Sequence, residues 1–220
     1  MNIFFDLDGT LTDAAPGITR CLEHALRRLG RESPPLAALR RFVGPPLHDT
    51  FAELLGSRDT GAVEGAIRLY RERFVEVGMF ENELYPGVPE GLASLGRAGH
   101  RMWVVTSKPT VYADRIVRHF ELTAWLQGVY GSEMSGANAD KRQLLREVLQ
   151  RERLAVPDCW MVGDRMHDIR AARENGISCV GVSWGYGTAE ELGDAGPDHI
   201  VGSMAELCEL LAPVSRKLPG

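Results

Sequence analysis

The sequence has few of the features that mark secreted, redox-active or membrane-bound proteins. Its four cysteines, Cys21, Cys159, Cys179 and Cys208, lie far apart and form none of the close pairs typical of zinc or redox sites. No apolar stretch approaches the length of a membrane span, and the first residues contain neither a basic segment nor the long apolar run of a signal peptide. We therefore expect a protein of the reducing cytoplasm that does not associate with a membrane.

Net positive charge and lysine are also scarce. The formal net charge is −5, from 25 basic and 30 acidic residues, which argues against binding to a nucleic acid polymer. An anionic small molecule must therefore be held by local groups. Only three of the basic residues are lysines, Lys108, Lys141 and Lys217. Where arginine is the default, a lysine after a strand or before a helix indicates a need for a compact ammonium group; Lys217 lies in a predicted tail and receives no role.

What the sequence does contain is a series of short apolar runs separated by helical patterns. The predicted buried strands are Ile3–Leu7, Met102–Val105, Cys159–Val162, Cys179–Val182 and His199–Val201. Helical patterns lie between several of them, including Pro89–Arg97 and Pro109–His119, each with proline near its first turn. Alternating strands and helices predict an α/β fold with a parallel sheet.

The segment between the first and second strands differs, because it holds no convincing strand and mostly shows helical periodicity. Apolar residues at helical spacing between Ile18 and Leu29 predict an amphipathic helix that ends at Gly30. Further helices are predicted over Leu47–Leu55 and Ala62–Val77. We therefore predict an α/β core of residues 1–13 and 86–220 with an inserted helical cap of residues 14–85.

Acidic residues follow two of the predicted strands. Asp6 and Asp8 come directly after the first strand, and Asp164 and Asp168 follow the Cys159–Val162 strand. Polar strand ends and a helix cap are the structural alternatives for these residues. Because the carboxyl ends of parallel strands meet in one crevice, the four carboxylates are expected to lie together there. Oxygen ligands of this kind predict a hard cation such as Mg²⁺.

Groups suited to holding a phosphate follow a third strand. Thr106, Ser107 and Lys108 come after the Met102–Val105 run, and their hydroxyl, amide and ammonium groups suit phosphate oxygens. The alternatives are that Thr106 or Ser107 caps the next helix and that the lysines are solvated by chance. Several carboxylates around a phosphate would repel it by several kcal/mol at an effective dielectric of about 20. A divalent cation and Lys141 would relieve that repulsion, and crowding would raise the pKa of Asp8.

Together, these signals resemble the four motifs of the haloacid dehalogenase superfamily. Motif one is Asp6-x-Asp8-Gly9-Thr10, motif two is Thr106, motif three is Lys141 and motif four is Gly163-Asp164-x3-Asp168. The helical insertion resembles the C1 cap of that superfamily, and Gly44-Pro45-Pro46-Leu47 is similar to phosphoglycolate phosphatase-type members.

The resemblance implies a doubly wound parallel sheet of Rossmann-like type, a mechanism and a set of residue roles. Asp6 would attack phosphorus to form an aspartyl-phosphate, while Asp8 would protonate the leaving oxygen and later activate water. Mg²⁺ would be bound by the Asp6 side chain, the Asp8 backbone carbonyl, Asp164 and Asp168. Thr106, the Ser107 amide and Lys141 would stabilise the transferring phosphoryl group, and Lys108 would bind substrate near the entrance. The dehalogenases lack the second carboxylate of motif one, so Asp8 favours phosphate chemistry.

The expected function is Mg²⁺-dependent hydrolysis of a small organic phosphate such as phosphoglycolate, by a monomer or homodimer. Nucleoside monophosphates are the alternative substrates, followed by a phosphosugar mutase reaction. The non-enzymatic alternatives are a phospho-receiver and a binding module that keeps the fold. Candidate substrate contacts in the cap are Arg41, His48, Tyr70 and Arg73.

Overall fold

The computed structural model of the protein describes residues 1–135 and 138–212, so Lys217 lies outside the described residues. Its strands are Asn2–Phe5 (β1), Thr12–Asp13 (β2), Glu83–Leu84 (β3), Arg101–Pro109 (β4), Leu126–Ser132 (β5), Cys159–Gly163 (β6), Ser178–Val182 (β7) and His199–Val201 (β8). Its α-helices are Ala15–Arg28 (α1), Leu36–Leu39 (α2), Leu47–Leu55 (α3), Thr60–Arg73 (α4), Val88–Arg97 (α5), Thr110–His119 (α6), Lys141–Arg151 (α7), Met166–Glu174 (α8), Ala189–Ala195 (α9) and Met204–Leu210 (α10). A π-helical turn, Phe74–Gly78, continues α4. Every helix in the described residues is too short or too polar to span a lipid bilayer.

Six strands form one sheet in the order β5-β4-β1-β6-β7-β8, and each neighbouring pair is parallel. The chain leaves β1 to build β4 and β5 on one side, then crosses over to build β6, β7 and β8 on the other. The direction of winding therefore reverses beside β1, where open α/β sheets bind ligands at the carboxyl ends of their strands. This arrangement confirms the predicted doubly wound α/β fold.

Successive residues of β1 are buried on opposite faces of the sheet. Ile3 and Phe5 belong to the apolar layer that includes α5, α6 and α10, whereas Phe4 belongs to the layer that includes α7 and α8. On the second face the rings of Phe4 and Trp103 lie 5.4 Å apart. Because both faces are covered, the sequence of β1 is a continuous apolar run. The same packing holds the carboxyl end of β1 rigidly in the centre of the sheet.

Two parts of the sheet structure correct the sequence prediction. Strand β5 was not predicted, because it is a half-buried edge strand whose two glycines, Gly128 and Gly131, interrupt its apolar pattern. Strands β2 and β3 lie in or beside the segment predicted to hold no strand, and they form a short antiparallel ribbon in which Thr12 pairs with Leu84. The ribbon joins the two points where the chain enters and leaves the helical insertion, defined here as residues 14–85.

The helical insertion packs its own apolar interior. Leu22 and Leu26 of α1, Phe51 of α3 and Ile67 of α4 are fully buried in it. α1 and the π-helical turn approach closely at Gly17, where a Cβ would lie 1.9 Å from the Gly78 carbonyl oxygen. The insertion is therefore a packed unit above the sheet edge, and its division from the core at residues 14 and 85 remains a prediction.

Candidate active site

The end of β1 turns sharply and places two carboxylates at the switch point of the sheet. β1 ends at Phe5, two residues before the predicted end, because the backbone N–H groups of Leu11 and Thr12 both donate to the Leu7 carbonyl and close a turn. The Asp6 N–H still donates to the Val162 carbonyl of β6 at 2.9 Å. Asp6 is therefore fixed between two strands and is buried, with 8% of its surface exposed.

Lys141 joins two of the predicted acidic residues. Its ammonium group lies 2.8 Å from Asp6 Oδ2 and also donates to Asp168 Oδ1. Burial by itself lowers the pKa of Lys141. The Asp168 and Asp6 carboxylates raise that pKa by more than burial lowers it, so the pKa lies above its usual value. Lys141 is the first residue of α7, which Asp140 caps by accepting from the Arg142 N–H. The lysine is therefore a permanent, buried positive charge and not a solvated residue.

Asp164 and Asp168 occupy the end of β6 and the first turn of α8. The Asp164 carboxylate accepts from the Tyr186 N–H at 2.7 Å and from the Thr10 hydroxyl at 3.2 Å. Asp168 accepts from the Arg165 N–H at 3.0 Å, so it closes the N-terminus of α8 as the helix-capping alternative foresaw. Asp164 does not cap that helix, since Arg165 is the N-cap residue.

Burial raises the pKa of both carboxyl groups. The pKa of Asp164 rises to about 7, through burial first and then through repulsion from Asp168 and Asp6. The pKa of Asp168 rises to about 6, also through burial, although Lys141 opposes the shift. The cluster thus holds more negative charge than its single ammonium group balances.

The cluster fits a divalent cation. Asp6, Asp164 and Asp168 are all buried and each offers an oxygen within 4.8 Å of the others. Gly9 and Gly185 pack so closely on Asp164 that a Cβ at either position would lie 2.3 Å from an atom of its side chain. Gly9 also has φ +91°, a conformation that favours glycine. Three hard oxygen donors with uncompensated charge are suited to Mg²⁺.

The carboxylate of Asp8 is turned away from this cluster towards Lys108. The Lys108 ammonium lies 2.6 Å from Asp8 Oδ2 and 5.3 Å from the centre of the Phe74 ring in the helical insertion. Burial raises the pKa of Asp8, while Lys108 lowers it, and the net shift is upward. The Asp8 side chain therefore pairs with Lys108 and is not part of the group formed by Asp6, Asp164 and Asp168, and its roles in proton transfer and cation binding remain predictions.

Thr106 and Ser107 lie within β4, beside the two motif-one carboxylates. β4 continues to Pro109 and α6 begins at Thr110 without a side-chain cap, so the alternative role of Thr106 or Ser107 as a helix cap is wrong. Thr106 is buried, and its hydroxyl accepts weakly from the Lys108 N–H at 3.3 Å. The Ser107 hydroxyl donates to the Ala139 carbonyl at 3.2 Å, which fixes the strand against the loop before α7.

These residues line one cavity of about 140 Å³, open to solvent, between the sheet edge and the helical insertion. The predicted residues in its wall are Asp6, Asp8, Thr106, Ser107, Lys108, Lys141 and Asp168. Asp164 is fully buried beneath them. The upper wall is apolar and aromatic, and includes Ile18, Phe42, Leu47, Tyr70, Phe74 and Tyr112. The structure thus brings the four sequence motifs together and covers them with the insertion.

The candidate contacts in the helical insertion divide into two groups. His48 and Tyr70 line the cavity, and His48 Nε2 lies 2.7 Å from Glu64. Arg41 lies outside the cavity, where its guanidinium group contacts Glu53. Arg73 also lies outside, held by Glu81 at 2.6 Å. Both arginines are therefore surface or structural residues in this conformation.

Sequence reasoning missed several residues of the cavity. Arg165 donates to the Val43 carbonyl of the insertion at 3.1 Å and to Glu191 at 2.8 Å, so it ties the loop after β6 to the insertion. A second hydrogen bond also joins the insertion to the core, but here the donor lies in the insertion: Arg71 donates to the Met134 carbonyl at 2.9 Å. The position of Arg165 directly after Asp164 is a sequence signal that could have identified it. Nothing in the sequence pattern marks Arg71.

Comparison with known proteins agrees with this geometry. A model of the haloacid dehalogenase-like hydrolase family matches residues 3–182. The chain belongs to this family. The resemblance inferred from the four motifs is therefore confirmed.

The names of the similar proteins describe several different activities. A 5'-nucleotidase from Pseudomonas aeruginosa is 45% identical over 96% of this chain and 95% of its own length. Tyrosine-protein kinase PtkA from Mycobacterium tuberculosis is 39% identical over 86% of this chain, which spans 64% of that protein. A phosphoglycolate phosphatase from Vibrio parahaemolyticus is 27% identical over 96% of this chain and 95% of its own length. A crystal structure described as a predicted phosphatase from Clostridium acetobutylicum has a TM-score of 0.90 at 38% identity, over 96% of this chain and 97% of that one.

Proposed function

We propose that this haloacid dehalogenase-like phosphatase hydrolyses small organic phosphate monoesters in two steps, through a phosphoryl group carried on Asp6, and that it requires Mg²⁺. The observation that carries the proposal is the Asp6 carboxylate in the wall of the cavity, held by Lys141 at 2.8 Å and placed among Asp164 and Asp168. A fixed carboxylate with an open face towards a cavity is suited to nucleophilic attack.

In the proposed mechanism the residues around Asp6 take part in two chemical steps. In the first step an Asp6 oxygen bonds to phosphorus, the bond to the leaving oxygen breaks, and Asp8 gives that oxygen its proton. In the second step Asp8 takes a proton from water, the water oxygen bonds to phosphorus, and the bond between phosphorus and the Asp6 oxygen breaks, so that phosphate leaves and the Asp6 carboxylate is restored. Lys141, the Thr106 hydroxyl and the Ser107 N–H hold the phosphoryl oxygens. When bound by Asp6, Asp164 and Asp168, Mg²⁺ would supply positive charge against the phosphoryl group.

The charges around the cavity favour a neutral leaving group. Five of the six basic side chains of the wall in the described residues have a partner: Lys141 with Asp6 and Asp168, Lys108 with Asp8, Arg165 with Glu191, His48 with Glu64, and Arg71 with the Met134 carbonyl. The sixth is His167, and burial lowers its pKa, which favours its neutral form. The carboxylate of phosphoglycolate would therefore have to bind Arg71, whose partner is a neutral carbonyl, or displace the carboxylate partner of another cation. A nucleoside would instead meet the aromatic upper wall.

The partners of the basic side chains and the aromatic wall together favour nucleoside monophosphates as a second candidate substrate class beside phosphoglycolate. The 45% identical relative named 5'-nucleotidase supports the same choice. A phosphosugar mutase would differ by keeping its phosphorylated Asp6 long enough to isolate. The receiver and binding-module alternatives lose support, because the named relatives and the solved structure include phosphatases.

We also propose a cytoplasmic protein that works as a monomer or homodimer on a small-molecule phosphate ester. All four cysteines are free thiols, three of them buried, which suits a reducing compartment. Size-exclusion chromatography with light scattering would determine the oligomeric state, and a larger assembly would contradict the proposal.

The first experiment measures phosphate release from phosphoglycolate, nucleoside 5'-monophosphates and sugar phosphates, with Mg²⁺ and with chelator. Asp6→Asn and Asp8→Asn are expected to lower kcat by at least about a thousandfold, because each removes a group that forms or breaks a bond. Asp114→Asn is the matched control, since Asp114 pairs with Arg118 on the surface of α6. Activity that survives in Asp6→Asn, or persists fully in chelator, would overturn the mechanism.

A further inference from the structure

Tyr70 presents an unused hydroxyl group to the cavity. It lies on α4, has 5% of its surface exposed and forms part of the cavity wall. Among the described residues, no group accepts from or donates to the Tyr70 hydroxyl. The Tyr70 hydroxyl is not among the side-chain oxygens sealed from solvent without a partner, so it is accessible, and the residue lines the cavity. A ligand oxygen in the cavity can therefore take the place of water on this hydroxyl.

The ring of Tyr70 is held in place from two sides. Phe51 meets it edge-on with ring centres 6.2 Å apart, and Phe74 stacks on it at 5.4 Å. Phe74 in turn meets the Tyr112 ring of α6, in the core, at 5.3 Å. This aromatic column, from Phe51 to Tyr112, runs from the interior of the insertion to the core. A side chain fixed in this way loses little conformational entropy when it binds a ligand.

The hydroxyl also lies in the electrostatic field of the reacting groups. Burial raises the pKa of Tyr70 well above its usual value, and the Asp8 carboxylate is among the lesser causes of the shift. The group is therefore a protonated donor at every working pH. Lys108 and His48, which line the same cavity, have carboxylate partners, whereas the Tyr70 hydroxyl is a neutral donor without a partner among the described residues, so it suits a neutral oxygen.

We propose that Tyr70 determines substrate specificity by donating a hydrogen bond from its hydroxyl to a neutral oxygen of the leaving group, such as a sugar hydroxyl of a nucleoside. This inference rests on the proposed phosphomonoesterase function. It assigns a residue of the helical insertion to the part of the substrate that the core motifs do not contact.

The test compares Tyr70→Phe with wild type on two substrates. A nucleoside 5'-monophosphate offers neutral oxygens beyond the scissile bond, whereas phenyl phosphate offers none. We expect kcat/KM for the nucleotide to fall by about fivefold to thirtyfold, the range for one neutral hydrogen bond in a buried site. The value for phenyl phosphate should stay within about twofold, because the aromatic column remains intact.

Tyr130→Phe is the matched control. Tyr130 is outside the cavity wall and its hydroxyl bonds Glu152, so the variant loses a hydroxyl contact without touching the site. Its kcat/KM should equal that of wild type on both substrates. Thermal unfolding of all three proteins checks that the folds match.

Each other outcome is informative. Equal losses on both substrates would overturn the proposal and assign Tyr70 to the fold or to the phosphate chemistry. No loss on either substrate, or turnover of phenyl phosphate without turnover of any nucleotide, would also overturn it. Failure of the function itself looks different, because wild type would then release no phosphate from either substrate, or Asp6→Asn would retain full activity.

Discussion

The charge imbalance in the carboxylate cluster predicts how the stability of the metal-free protein depends on pH. The perturbation is removal of divalent cations with a chelator, and the comparison is wild type against Asp164→Asn. Asp164 is fully buried, and burial together with Asp168 and Asp6 raises its pKa to about 7. The folded protein therefore holds this proton more tightly than the unfolded chain, in which the pKa is about 4.

The sign follows from which state binds the proton. Below about pH 4 both states are protonated and Asp164 costs nothing, whereas between about pH 4 and pH 7 only the folded state keeps the proton. Stability should therefore fall by about 1.4 kcal/mol per pH unit in that window and level off above it. Between pH 5 and pH 7 the loss is about 2 kcal/mol, because the slope halves as the pH reaches the folded-state pKa, and this corresponds to roughly 4–8 °C in Tm for a chain of this size.

Other carboxylates act in the opposite direction, so the difference between the two proteins is the quantity to measure. Arg73, for example, holds the pKa of Glu81 below its usual value, which stabilises the fold as the pH rises. That contribution is present in both proteins and cancels. Thermal unfolding followed by circular dichroism at half-unit pH steps, in chelator, gives the difference in Tm between wild type and Asp164→Asn.

Mg²⁺ provides the second arm of the same experiment. It binds the deprotonated cluster, so its stabilising effect on wild type should grow from pH 5 to pH 7 and should be much smaller in Asp164→Asn. A wild-type minus Asp164→Asn difference that stays constant across this range would refute the reasoning. An equal effect of Mg²⁺ on the two proteins would show that the cation binds elsewhere.

Two further predictions concern the loops around the cluster. Gly9→Ala should lower kcat/KM by more than about a hundredfold and cost about 1–2 kcal/mol of stability, because a Cβ would enter the Asp164 carboxylate and φ at this position is +91°; kinetics that match wild type would contradict the packing. Arg165→Gln should raise KM by about tenfold and speed proteolytic cleavage of the insertion, since it removes a charged hydrogen bond to the Val43 carbonyl. Gel-resolved limited proteolysis and steady-state kinetics measure both effects. An unchanged KM would show that the bond from Arg165 to Val43 does not help to hold the insertion over the cavity.

The sequence was informative where the chemistry depends on residues directly after apolar runs. Asp6 and Asp164 follow strands that neighbour each other in the sheet, so the parallel topology alone predicts their meeting. The same argument placed Thr106, since β4 is the other neighbour of β1. The rarity of lysine drew attention to Lys141 but left a solvated residue as an equal alternative, and its predicted role came from the resemblance to motif three. Its position against Asp6 and Asp168 depends on α7 packing beside the sheet.

The parts that could not be predicted depend on contacts between distant segments. The pairing of Lys108 with Asp8 joins residues 100 positions apart, and no periodicity encodes it. The Tyr186 N–H reaches Asp164 from the loop after β7, where the neighbouring Gly185 must lack a side chain. The aromatic wall of Phe74 and Tyr112 forms only when the insertion packs on the core. Edge strand β5 has too weak an apolar pattern to identify.

The buried carboxylates of the site destabilise the fold, and the way in which their charge can be balanced indicates a cation site. Three buried carboxylates with a single ammonium group leave charge that protein groups do not balance, and hydrophobic residues of similar volume would stabilise such a position better. Two apolar layers on the faces of the sheet offset that cost and hold the strand ends rigid. Because the layers fix Asp6 and Asp164 before any ligand arrives, the repulsion cannot relax by movement of the backbone. It is relieved by a proton, as on Asp164, or by a cation, and the proposed Mg²⁺ would relieve it while every carboxylate of the cluster stays available as an oxygen ligand.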